Sequence, residues 1–205
     1  IRLQRANDAP VNDKGSFVLY WMIANRRTTW DFSLDRAVEW ARELEKPLVI
    51  LEALRSGYEW ASDRLHRFIL DGMDDNARRL KKHNVFYYPY VETVHNGCKA
   101  LLQALARKAC VVVTDDFPAF FLPRMVSAAS RQLPILLEQV DSNGLLPMRA
   151  ADRVFPTAYA FRRFLQKQLP IYLFEHPASD PLERANLKTL DPLPDEIIER
   201  WPPAP

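Results

Sequence analysis

Two acidic residues, Asp115 and Asp116, follow directly on the apolar run Val111-Val-Val-Thr114. A carboxylate at the end of a buried strand can hold a ribose, a polar heterocycle or a metal ion. The same pair, with Pro118 two residues on, can equally cap and open a helix, so both readings stand at this point. A second polar turn, Asn25-Arg26-Arg27, comes just after the run Ser16-Phe-Val-Leu-Tyr-Trp-Met22. An arginine there can meet an anionic group bidentately or close a structural ion pair. Trp21, Trp30, Trp40, Trp60 and Trp201, with Tyr87, Tyr88 and Tyr90, offer flat faces to a planar ring or simply fill a core.

Other chemistries are disfavoured by spacing. His66, His83, His95 and His176 show neither HxxxH nor HExxH, so a zinc site is not expected. Nothing in the chain matches a GxSxG elbow, a Walker A loop or GxGxxG. With glycine only at Gly15, Gly57, Gly72, Gly97 and Gly144, a loop whose backbone cradles phosphates is hard to build. Cys98 and Cys110 lack CxxC spacing and read as buried free thiols, which fits a reducing cytoplasm.

The elements that must position these residues alternate along the chain. Five apolar runs, Ser16 to Met22, Leu48 to Leu54, Val85 to Val91, Cys110 to Thr114 and Ile135 to Val140, are too short for buried helices and read as strands. Between the first two, Leu34, Ala37, Val38, Ala41 and Leu44 recur at helical spacing, and Lys46-Pro47 ends that helix. A second helix carries Leu65, Phe68, Ile69, Gly72, Met73 and Leu80 on one face. Its last turn gathers Arg78, Arg79, Lys81 and Lys82, where the macrodipole favours cations. Helices over roughly His95 to Ala109, Ala119 to Arg131 and Ala158 to Gln168 complete the pattern. Alternation of this kind predicts an α/β fold, a doubly wound, mostly parallel five-stranded sheet of Rossmann-like type.

With 205 residues, 48% of them hydrophobic and 26% charged, the chain can bury one sizeable core. A net charge of +2 says nothing of nucleic-acid partners, and no apolar stretch is long enough to span a bilayer. Residues 1–15 read as an N-terminal extension and 16–169 as the α/β domain. Eight of the sixteen prolines fall in residues 170–205, which therefore read as an extended linker toward a further domain.

Several strings together resemble the N-terminal domain of DNA photolyases, nearest the class II cyclobutane-pyrimidine-dimer type. They are Asn7-Asp-Ala-Pro10 leading into Val18-Leu-Tyr-Trp-Met22, then Arg27, then Arg64-Leu-His-Arg-Phe-Ile-Leu-Asp-Gly-Met73. Val112-Val-Thr-Asp115, Glu138-Gln-Val-Asp141, Pro147, Leu169-Pro170 and Arg200-Trp-Pro202 follow in the family's order. The chain departs from the family pattern in three places. Arg149 stands where the family has a tryptophan, Val154-Phe-Pro-Thr157 replaces a Lys-x-Glu-Tyr-like stretch, and Asp31 replaces an asparagine.

The resemblance implies an antenna domain of a light-driven DNA-repair flavoprotein, with a deazaflavin or a folate as its chromophore. It assigns FAD, DNA and the chemistry of dimer cleavage to a helical domain outside these residues, so no catalytic residue and no metal ligand is carried over. Open parallel sheets bind ligands across the carboxyl ends of their strands. The switch-point rule then nominates Trp21, Met22, Asn25, Leu54, Asp115, Asp116 and Phe117 as chromophore contacts. Two other functions share this architecture: a stand-alone nucleotide-binding or stress-type module, and a cryptochrome-like signalling domain.

Overall fold

A computed structural model describes residues 1–93, 98 and 100–205 of the chain. The strands are β1 (Leu3–Arg5), β2 (Phe17–Met22), β3 (Leu48–Leu54), β4 (Phe86–Val91), β5 (Ala109–Asp115) and β6 (Leu137–Val140). Between and after them lie α1 (Phe32–Glu43), α2 (Asp63–Leu80), α3 (Leu101–Ala106), α4 (Leu122–Ser130), α5 (Ala158–Tyr172) and α6 (Asp195–Arg200). They form one six-stranded sheet in the order β1-β6-β5-β2-β3-β4. Every pairing is parallel except that of β1 with β6.

All six residues of β2 are buried, because this strand is flanked on both sides and covered on both faces. Side chains alternate between faces. Phe17, Leu19 and Trp21 join Val49, Leu51, Tyr88 and Val112 under α3 and α4. Val18, Tyr20 and Met22 point the other way, into a core made with Leu34, Ala37, Val38 and Ala41 of α1 and Leu80 of α2. Helix α1 starts where Asp31 caps it, its carboxylate accepting from Ser33 N and Leu34 N at 2.7 and 3.1 Å. Gly15 is required by close approach, since a Cβ there would lie 2.5 Å from Ala109 C and Cys110 N.

The structure corrects two expectations. The sheet has six strands, the sixth being Leu3–Arg5, inside the stretch read as an N-terminal extension. Its Leu3-Gln4-Arg5 pairs Val140, Gln139 and Glu138 of β6, and three residues with one apolar side chain carry no legible period. Helix α5 runs on to Tyr172 through Pro170; Pro170 has no N–H to give to the carbonyl four residues back, and the helix ends two residues later. The tail packs along the domain with little regular structure, adding only the short helix α6. Leu182, Ala185 and Leu187 pack on the α1 face, while α6 brings Leu193, Ile197 and Trp201 to the other. Its end runs beside β4, with Ala204 N donating to Pro89 O at 2.8 Å. Pro89 is tolerated because β4 is an edge strand. The expected start of the third helix at His95 lies outside the described residues, within which α3 begins at Leu101.

Candidate functional site

Helices α1 and α2 share one core and α3 and α4 the other, so the crossovers change face between β5 and β2. At that switch the chain leaves a crevice at the carboxyl edge of the sheet. Two carboxylates on strands, one just after β4 and one in the α1 cap organise the loops around it.

Asp115, at the end of β5 and wholly buried, holds the turn after β2. It accepts from Ile23 N at 2.9 Å, Ala24 N at 2.7 Å, Asn25 N at 3.3 Å and Asn25 Nδ2 at 3.3 Å, and from the Tyr20 hydroxyl at 2.8 Å. Burial, reinforced by this carboxylate, pushes the Tyr20 hydroxyl well above its ordinary value. Asp31 is buried as well; desolvation, then the charge of Asp115, raises its carboxyl to about 7. Arg27 lies 3.8 Å from Asp31 Oδ2 and donates to Ser142 O at 2.9 Å, tying the loop to the end of β6.

Glu52 on β3 points to the α1 and α2 face. It pairs with Arg26 at 3.0 Å and accepts from Asn76 Nδ2 at 2.9 Å and the Tyr87 hydroxyl at 2.7 Å. Desolvation first, and then the Glu52 charge, raises the Tyr87 hydroxyl. Arg26 also donates to Ala53 O at 2.8 Å. It adopts φ 45°, the left-handed region uncommon outside glycine. Trp30, Ala100 and Phe120, at φ 51°, 67° and 61°, share that conformation and lie in the segments after β2, before α3 and after β5. Backbone strain of this kind is concentrated where loops are shaped for binding.

Glu92, just after β4, accepts from Ser56 N and Oγ and from Cys98 N and Sγ. Burial alone would raise its carboxyl; the hydrogen bonds, led by the Cys98 thiol, outweigh it and hold the group at about 2. The Cys98 thiol is in turn raised to about 11 by desolvation and by Glu92. Both cysteines are free, Cys110 buried and Cys98 only half-buried, which corrects the expectation of two buried thiols.

On the α3 and α4 side of this edge opens a cleft of about 670 Å³. Its floor is the sheet face at Trp21, Ile23, Leu51 and Ala53. Leu101 and Leu102 of α3 and Met125 and Ala129 of α4 form walls, and Leu65 and Ile69 come from the first turns of α2. The loops after β3 and β5 supply aromatic rings. Tyr58 packs on Phe121 at 5.8 Å, and Trp60 meets Phe120 edge-on at 5.6 Å, both of the latter largely exposed. Polar groups are few: Arg26, Arg55, Cys98, and the hydrogen-bonded pair Gln103 and Gln132. A second, more polar hollow of about 540 Å³ lies over β5 and β6, lined by Arg5, Asp116, Phe117, Ser127 and Gln139. Asp116 there forms an ion pair with Arg149.

The expected contacts therefore divide. Trp21 and Leu54 line the large cleft, and Asp115, Asp116 and Phe117 border the polar hollow. Asn25 is bound to Asp115, and Met22 faces the opposite core because it neighbours Trp21 on the strand. Asp115 has its oxygens taken by the β2 loop, and it does not cap α4, whose N-cap Phe121 has no side-chain cap bond. Sequence reasoning missed Arg55, Tyr58, Phe120, Phe121 and Leu101. A cluster of aromatics in the two segments that follow strand ends, Tyr58 with Trp60 and Phe117 with Phe120 and Phe121, was the available signal. Among the described residues no group of His, Cys, Asp and Glu could hold a metal ion, and no helix is long and apolar enough to cross a membrane.

Fold and site together define a doubly wound α/β domain with a ligand-sized apolar cleft beside its switch point. No family model matches the chain. It is similar to the deoxyribodipyrimidine photo-lyase of Methanothermobacter thermautotrophicus, with 28% identity over 173 residues, 84% of this chain and 38% of that protein. It is also similar to the deoxyribodipyrimidine photo-lyase of Arabidopsis thaliana, with 24% identity over 184 residues, 87% of this chain and 36% of that protein. The chain is thus similar to two deoxyribodipyrimidine photo-lyases, and it spans well under half the length of either.

Proposed function

We propose that this chain is the antenna-type α/β domain of a photolyase-like flavoprotein, and that the apolar cleft beside the switch point receives the chromophore. The observation that supports this is the cleft itself. At about 670 Å³ it falls in the size range of small-molecule sites, and it is lined mainly by apolar and aromatic side chains with a few polar groups. Those residues suit a planar heterocycle. Trp21 and Leu51 give a flat floor, the ring pairs Tyr58–Phe121 and Trp60–Phe120 exclude water at the mouth, and Gln103 and Gln132 offer amide donors and acceptors. A deazaflavin or folate held there would absorb light and pass its excitation to a flavin.

In this reading the parent protein repairs pyrimidine dimers in DNA, using FAD in a separate helical domain. The α/β domain contributes positioning, dryness and a rigid frame. Asp115 matters indirectly, by fixing the turn that places Trp21 and Arg26. Fluorescence titration of the chain with a deazaflavin and with a reduced folate tests the proposal, comparing the native sequence with Ala128→Trp, which fills the cleft from α4. Saturable binding of one chromophore that Ala128→Trp abolishes is the expected result. Binding of neither, or binding indifferent to the filled cleft, overturns it.

A further inference from the structure

We propose that the occupant of the cleft is an aromatic anion, and that Arg55 receives its charge. The inference rests on the reading of the cleft as a site for a planar ring and adds the charge that the ring system must carry. Two arginines line the cleft, Arg26 and Arg55, and no acidic residue does among the described residues. The two differ in their surroundings. Arg26 is neutralised by Glu52 at 3.0 Å and donates a second bond to Ala53 O. Arg55, the first residue after β3, has its Nε enclosed without a hydrogen-bond partner, and its guanidinium makes no ion pair among the described residues.

The buried acids of this edge are committed elsewhere. Glu52 is shared by Arg26, Asn76 and Tyr87, and Glu92 is turned to Ser56 and Cys98. Arg55 is close enough to Cys98 to favour its thiolate, so its positive field reaches into the cleft. A guanidinium is always charged and offers a planar fork of donors. Held against an apolar lining with a donor unmet, it selects a ligand that brings an acceptor and a negative charge, such as a carboxylate, a sulfonate or an ionised ring hydroxyl. In a partly desolvated site that pairing is stronger than in water.

Two fluorescent probes that share their rings test the proposal: 1-anilinonaphthalene-8-sulfonate and its neutral parent N-phenyl-1-naphthylamine. Both are titrated into the native chain, Arg55→Gln, Arg55→Lys and Ala128→Trp, with thermal unfolding of each variant confirming that it is folded. The native chain is expected to bind the sulfonate about tenfold more tightly than the neutral probe. Arg55→Gln should weaken the sulfonate by about tenfold and leave the neutral probe within about twofold, while Arg55→Lys restores part of the preference. Raising salt from about 0.05 to 0.5 M should weaken only the sulfonate. Equal affinity for the two probes in the native chain, or an equal loss of both in Arg55→Gln, overturns the inference and leaves the cleft reading intact. Failure of both probes to bind, or undiminished binding of either to Ala128→Trp, overturns the cleft reading itself and the inference with it.

Discussion

Replacing Asp31 by asparagine should make the protein more stable at neutral and alkaline pH and remove a pH dependence that the native chain shows. Asp31 Oδ1 caps α1, a role that an asparagine oxygen fills equally well, while Oδ2 is buried with no hydrogen-bond partner. Desolvation and the nearby Asp115 charge raise its carboxyl to about 7 from 3.8. That gap of about three pKa units, at about 1.4 kcal/mol each, puts a ceiling of about 4 kcal/mol on the cost of ionising Asp31 in the folded state. Placing an amide where Oδ2 now lies offsets about 1–2 kcal/mol of this, leaving a net gain of about 2 kcal/mol above pH 7. The sign follows from linkage. Between about pH 4 and pH 7 the folded chain holds a proton that the unfolded chain releases, so this group's contribution to stability falls as pH rises through that window and levels off above it. Urea unfolding followed by tryptophan fluorescence at about pH 4.5, 6 and 8 measures both effects. An Asp31→Asn variant that keeps the native slope, or that loses stability at pH 8, would refute the reasoning.

Three further outcomes are expected. Asp115→Ala strips the acceptor from three backbone N–H groups and the Tyr20 hydroxyl and should cost about 3–5 kcal/mol; a loss under about 1 kcal/mol in urea unfolding would contradict the network described. Gly15→Ala forces a methyl group against the backbone of Ala109 and Cys110 and should cost about 1–3 kcal/mol, checked by the same measurement. With its thiol at about 11, Cys98 should react with iodoacetamide at pH 8 about a hundredfold more slowly than an ordinary cysteine. Glu92→Gln should speed that reaction, and a native rate equal to that of free cysteine would show the Glu92 contact to be absent.

The strands β2 to β6 were legible because each lies in a short stretch rich in β-branched, aromatic or aliphatic residues, and the structure places them within two residues of the expected bounds. Strand β1 was not, since Leu3-Gln4-Arg5 is ordered by the free edge of β6 and by nothing in its own pattern. Pro170 misled in the same way: a proline's local rule argues for a helix end, yet α5 continues past it by two residues. For the site, the switch-point rule points to the edge of the sheet where the cleft opens, but it does not assign faces. Trp21 and Met22 are neighbours in sequence and lie on opposite faces. The acid at Asp115 was visible; that its oxygens are consumed by the backbone of residues 23–25 depends on how closely the loop wraps back on β5. Arg55 and the ring pairs at the cleft mouth come together only through tertiary packing of two loops.

A crystal structure of the chain grown with whichever of the deazaflavin and reduced folate it binds tests the central claim most directly. The account predicts one ring system lying on Trp21 and Leu51 between α3 and α4, closed over by Tyr58 and Phe121. A ring bound in the polar hollow beside Asp116 and Arg149, with the apolar cleft left vacant, would contradict it.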